Sequence, residues 1–198
     1  MCTDCPRRLA DDLDRAFPEF LAHHQDLVYG IALRSTKRPA DAEELAQDTF
    51  VRAYRALAGY DARRVRELRP KGWLAAIAGN LARNRARRRR PTTAPLEGLA
   101  EVRADEAPGP ESMAERRESA TLWRARLEAL PARYRRAVEL RHVSGLSYPE
   151  LAEALDRPLG TVKSDVHRGV RLLREALAQE ALTGKSPTQA ERRRHEGA

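Results

Sequence analysis

Five side chains toward the C-terminal end of the chain have the types and spacing to read a nucleic-acid duplex. Lys163, Ser164, His167, Arg168 and Arg171 fall on one side of a single helical run. A short polar and basic helix face of this kind is what the DNA major groove accepts. A second set lies upstream. Six of the eight residues from Arg83 to Arg90 are arginine. Residues 61–90 carry eleven Lys or Arg against Asp61 and Glu67 alone. A surface so charged repels itself unless it meets anions, and backbone phosphate is the natural partner. Each set also has a plainer reading: a helical hairpin with a solvated basic face for the first, a basic helix end or a disordered arm for the second.

The first set needs a helix held at a fixed angle, and residues 146–175 supply the parts. Ser147 and Glu150 have the S-x-x-E spacing of a capping box, which starts a helix. Leu151, Ala152 and Leu155 give that helix one apolar face. Asp156 and Arg157 end it, and Pro158 suits the first turn of the next helix. Val162, Val166, Val170, Leu173 and Leu177 then recur at helical spacing as a buried stripe opposite the basic face.

Upstream, residues 1 to about 16 are expected as a mobile, charged lead-in. Phe17 to Leu33 fits a helix, with Phe17, Phe20, Leu21, Val28, Ile31 and Ala32 on one face. Pro39 interrupts, and Asp41 opens a second helix. Its apolar stripe is Leu45, Ala46, Phe50, Ala53 and Leu57; its outer face carries Glu43, Glu44, Gln47, Asp48 and Arg52. Gly59 to Pro70 is expected as a basic loop. Lys71 to Arg90 is the next helix, with Trp73, Leu74, Ile77, Ala78 and Leu81 inward. Pro91 to Ser112 holds four prolines and five acidic residues, the composition of a linker. Beyond it, Leu122, Trp123, Leu127 and Leu130 mark a helix stopped before Pro131, and Tyr134, Ala137, Val138 and Leu140 or Arg141 mark another. The tail after about Leu182 is polar and expected to be disordered. Its T-G-K-S lacks the first glycine and the preceding strand of a phosphate loop. The expected fold is all-α: an N-terminal tail to 16, a helical domain over 17–91, a flexible acidic linker over 92–113, a helix-turn-helix domain over 114–182 and a tail over 183–198.

Composition narrows the function classes. With 41% hydrophobic but only 5% aromatic residues, the 198-residue chain suits compact Ala/Leu-rich helices better than a sheet core. Its formal net charge of +8 makes nucleic acid the first candidate partner. No apolar run is long enough to span a membrane, and the N-terminus lacks the apolar core of a signal peptide. Membrane insertion is therefore not expected, and the location expected is cytoplasmic. The two cysteines form a single C-x-x-C, Cys2 and Cys5, where a zinc site needs four ligands; His23 and His24 are the nearest others. Reduced, incidental thiols are expected, with no metal and no cofactor. No nucleophile–base set, metal cluster or phosphate loop supports an enzyme.

Three stretches in order, DAEELAQDTFVRAYRAL, GWLAAIAGNLARNRARRRR and LPARYRRAVELRHVSGLSYPELAEALDRPLGTVKSDVHRG, resemble RNA polymerase sigma factors of the extracytoplasmic-function type, group 4 of the sigma-70 superfamily. The resemblance covers residues 17–91 as region 2 and 114–180 as region 4. It implies a subunit that binds core RNA polymerase and directs promoter-specific initiation. Asp41, Glu44, Gln47, Asp48 and Phe50 would meet the clamp helices of the largest polymerase subunit; the flap of the second largest subunit is a further implied contact. Trp73, Asn80, Arg83, Arg87 and Arg90 would serve the −10 element, and the loop before them would cradle a flipped base. Thr161, Lys163, Ser164, His167, Arg168 and Arg171 would read the −35 element. The linker would run toward the RNA exit path, and an anti-sigma factor is implied by family habit.

Some residues depart from the family pattern. Asn84 stands for a usual Asp, Ser144 for a usual Glu, Asp165 for a common Arg, and Gly169-Val170 for Ala-Arg. An Asp near the groove repels phosphate, yet it can accept from cytosine N4; the other expectations are that it orients Arg168 or faces solvent. Two further functions compete. A LuxR-like helix-turn-helix regulator shares the G-x-S-x-x-E…T-V-K pattern but leaves the two upstream helices unexplained. A sigma mimic that sequesters an anti-sigma factor gains weight from Asp165 and Val170.

Overall fold

The computed structural model describes residues 4–88 and 110–183, and in the second stretch the side chains of 120–180. Every regular element among them is helical. Cys2, Arg90, most of the expected linker and the C-terminal tail lie outside the described residues. By contacts the chain forms two units, the first holding 4–88 with 144–159 and the second 110–143 with 160–183.

In the first unit, α1 (Cys5–Asp11) and α2 (Leu13–Thr36) replace the expected mobile lead-in. Cys5 and Leu9 are buried, and Arg8 pairs with Glu19 at 2.5 Å, so the segment is folded onto the core. Asp12 caps α2 by accepting from the Arg15 N–H at 3.1 Å. That carboxylate cap starts the helix earlier than the apolar pattern does. Cys5 is also disulfide-bonded, which corrects the expectation of an incidental thiol.

Pro39 does not interrupt α3 (Pro39–Ala58) but opens it, at a position where the missing N–H has no helical partner to lose. The expected loop after Gly59 contains α4 (Ala62–Glu67), capped by Asp61 accepting from the Arg64 N–H at 2.8 Å. Next comes α5 (Pro70–Arg88). Phe20, Val28, Phe50, Leu57, Val65, Trp73 and Leu74 form one core, and Ala32, Ala42, Leu45 and Leu81 another.

Helix α8 (Tyr148–Leu155) has its full capping box: Glu150 accepts from the Ser147 N–H at 2.7 Å while its own N–H reaches Ser147 Oγ. It lies against α5, with Leu151 fully buried. The approach is closest at Gly72, where a Cβ would stand 2.7 Å from the Glu150 carbonyl oxygen and 2.9 Å from its Cα. Burial against this surface pushes the Glu153 carboxyl up, opposed by Arg69.

The second unit contains α6 (Pro110–Ala129), which starts inside the expected linker, then α7 (Ala132–Val138), a π-helical turn over Glu139–Val143, and α9 (Leu159–Thr183). Leu130, Val138 and Leu173 form its core. A largely buried ion pair, Arg126 Nη2 to Glu180 Oε2 at 2.7 Å, ties α6 to α9.

Candidate nucleic-acid and partner interfaces

Along α9 the apolar stripe and the basic face separate as the spacing predicts. Val162, Val166 and Leu173 are buried, while Thr161, Lys163, Ser164, His167, Arg168 and Arg171 are all exposed. Ten residues of helix rise about 15 Å, so the six side chains share a strip a few base pairs long. Arg171 also meets Glu175 at 3.5 Å, an exposed pair that gives way easily to a stronger anion. Asp165 is only 5% exposed. It therefore neither faces solvent nor reaches a base edge, because it points to the packed side of α9. Val170 is half-buried on that same side.

On α5 the arginine block divides. Asn80, Arg83, Asn84 and Arg87 follow one another along an exposed row. Arg83 donates to Asn80, and Arg87 to Asn84 Oδ1 at 3.2 Å. Arg85 turns away and meets α3, pairing with Asp48 at 2.6 Å and Glu44 at 3.1 Å. Two of the acidic residues expected at the polymerase are thus already held by a guanidinium of α5. Trp73 is not at the surface: it is 9% exposed and packs in the core beside Tyr60, whose ring centroid is 6.3 Å away. An indole at i, i+1 with Leu74 belongs to the inward face, and burial of so large an apolar ring decides its place. Ahead of α5, Arg64 covers the Tyr60 ring at 3.8 Å, and Arg66 pairs with Asp11 at 3.1 Å.

On α3, Glu44 and Gln47 are exposed and Asp41 and Asp48 half-buried. Phe50 is only 6% exposed, so it is a core residue with one edge showing. That edge forms part of a groove of about 690 Å³ between α2 and α3, lined also by Phe17, Leu21, Tyr29, Ala46 and Tyr54. Sequence reading missed Val51 and Tyr54, apolar residues off the buried stripe that stay exposed at 49% and 37%. Their signal was there: an apolar side chain outside the inward stripe of an amphipathic helix marks a second contact face. Tyr54 donates to the Asp14 carboxylate, which raises its phenol above the ordinary range.

No group of three or more potential metal ligands occurs among the described residues. No helix among them is long and apolar enough to cross a membrane.

Two family models match the chain: sigma-70 region 2 over residues 20–92 and sigma-70 region 4 over residues 121–173. The ECF RNA polymerase sigma factor SigW of Bacillus subtilis is 32% identical over 170 residues, covering 82% of this chain and 89% of SigW. SigE of Mycolicibacterium smegmatis is 36% identical over 168 residues; the match takes in 83% of this chain and spans 62% of SigE's length. Among solved structures, CnrH in complex with the cytosolic domain of CnrY matches with a TM-score of 0.64 at 24% identity, over 89% of this chain and 96% of CnrH. RpoE in complex with the anti-sigma factor NepR from Bartonella quintana matches with a TM-score of 0.61 at 23% identity, over 82% and 96%. These two likenesses establish the helical fold, and the curated relatives establish the family: the chain belongs to the extracytoplasmic-function group of RNA polymerase sigma factors.

Proposed function

We propose that this chain binds core RNA polymerase and directs initiation at promoters carrying −10 and −35 elements. The observation that carries the reading is the coexistence, in one chain, of two exposed basic rows on different helices and an acidic helix beside an apolar groove. The α9 strip from Thr161 to Arg171 serves the −35 duplex. The α5 row of Asn80, Arg83 and Arg87 serves the −10 region, and Arg90 is proposed for the same role from the sequence alone. Buried Trp73 supports that row from beneath. The α2–α3 groove, rimmed by Glu43, Glu44 and Gln47, suits an amphipathic helix with a basic edge, and the polymerase clamp helices are the proposed occupant. The flap is the proposed contact of the second family region.

The protein acts in the cytoplasm, where its polymerase is, and is not itself a catalyst. RpoE of Bartonella quintana is bound by the anti-sigma factor NepR, and an anti-sigma partner is proposed here by that likeness. The regulator reading gives no use to residues 20–92. The mimic reading loses its support, because Asp165 and Val170 do not disturb the exposed face of α9. Run-off transcription with core polymerase is the test. Promoter-dependent transcripts that require this chain are the expected result; polymerase binding without transcripts from any selected promoter would instead favour the mimic.

A further inference from the structure

The Tyr134 hydroxyl draws two guanidinium groups to one point on the second unit. Arg133 donates to it through Nη2, and the Arg133 Cζ stands 4.3 Å from the Tyr134 ring centroid. Arg168 of α9 lies within hydrogen-bonding reach of the same oxygen. Both arginines are exposed. The tyrosine itself is 8% exposed, so its ring is fixed in the core and its oxygen sits at the rim. Helix spacing makes the arrangement possible. A Cβ at Gly169 would stand 2.6 Å from Val138 Cγ2 and 3.3 Å from the Tyr134 carbonyl oxygen, so glycine lets α9 come this close to α7.

Two like charges held near one oxygen repel, and water screens them only partly at a crowded surface. An anion placed between them turns that repulsion into attraction. Guanidinium forks match the geometry of phosphate oxygens, and each is a strong charge-assisted donor. The same pair of cations holds the Tyr134 phenol below the ordinary tyrosine range, through hydrogen bonds from Arg168 and then Arg133.

We propose that Arg133 and Arg168, gathered by Tyr134, seat one backbone phosphate of promoter DNA beside the −35 element. Arg133 touches the phosphate, and Tyr134 is a positioning residue that holds both guanidiniums toward it. Arg168 then anchors the backbone and does not choose a base. The inference rests on the reading of the α9 strip as the −35 contact.

The test uses holoenzyme and a promoter selected from a randomised library, rebuilt with a single neutral methylphosphonate moved along the −35 backbone. With wild type, neutralising the seated phosphate lowers affinity about tenfold, as loss of a charge-assisted hydrogen bond should. Arg133→Ala loses a similar factor, keeps the same −35 base preference, and becomes insensitive to that one methylphosphonate. Tyr134→Phe keeps the ring in the core and the melting temperature, and shows a smaller loss at the same phosphate. If no phosphate position loses its effect in Arg133→Ala, the seat does not exist. Wild-type behaviour of Tyr134→Phe would remove the positioning role. If scrambling the −35 bases leaves wild-type affinity unchanged, the α9 reading fails and the seat fails with it.

Discussion

Asp165 sits on the packed side of α9, one step from the exposed Ser164. Its position one step from Ser164 left base contact, an orienting role and solvent exposure all open, because helical spacing fixes an angle but not the width of the buried sector. At 5% exposure it belongs to the packed side. Asp165→Ala should therefore leave −35 preference unchanged in a selection with holoenzyme. It should lower unfolding stability by about 1–3 kcal/mol, the cost of removing one member of a buried polar contact. His24 makes the opposite kind of prediction. It is 4% exposed, its Nε2 has no hydrogen-bond partner among the described residues, and its ring packs edge-on to Phe20 at 4.7 Å. Burial first, then His23 and Lys71, lowers its pKa to about 4 from 6.5, with Glu150 opposing. The unfolded chain thus binds the proton more readily than the folded one. Stability contributed by the neutral ring is complete above about pH 6.5 and declines as pH falls toward 4, by a total on the order of 3 kcal/mol. Urea melts across that window should show the slope, and His24→Leu should flatten it.

At the scale of the element, the legible features were those written in short-range chemistry. The capping box at Ser147 and Glu150 is present as read, and Ser147→Ala should cost about 1 kcal/mol, seen as a lower urea midpoint. The α9 stripe was legible because Val162, Val166 and Leu173 repeat at the helical period. What escaped reading depended on single caps or on tertiary partners. Asp12 and Asp61 each turn an expected tail or loop into helix through one side-chain acceptor, and Asp is common enough in loops that neither stood out. Arg85 could not be separated by sequence from Arg83 and Arg87, because its pairing with Glu44 and Asp48 is a contact across 37 or more positions. Trp73 and Phe50 were legible as inward from their spacing, and packing places both rings in the core; the contacts that the family resemblance also gave them were a separate expectation.

For the molecule as a whole, the charge of +8 guarantees attraction to any DNA without guaranteeing selection. Each proposed DNA row occupies a single helix in one small unit. Small single modules bury too little surface for tight specific binding alone, and a partner that fixes both rows raises the effective concentration of the second contact. The free protein should bind promoter duplex weakly and with little sequence preference at physiological salt. Holoenzyme should discriminate. Fluorescence anisotropy with matched and scrambled duplexes measures both, and tight selective binding by the free chain would restore the regulator reading.

Gly72 limits how this sequence can drift. Most packing contacts join two side chains, so a larger residue on one partner can be matched by a smaller one on the other. Here the neighbour of the missing Cβ is the backbone of Glu150, which every amino acid brings unchanged. No substitution at 150 makes room at 72. Alanine would favour the helix by about 1 kcal/mol over glycine, yet it cannot be admitted while α8 keeps its place on α5. A two-position saturation library over 72 and 150, sorted for hydrogen-exchange protection of α8, should return glycine at 72 whatever stands at 150. Recovery of protected clones with alanine at 72 would show that the two backbones can part without loss.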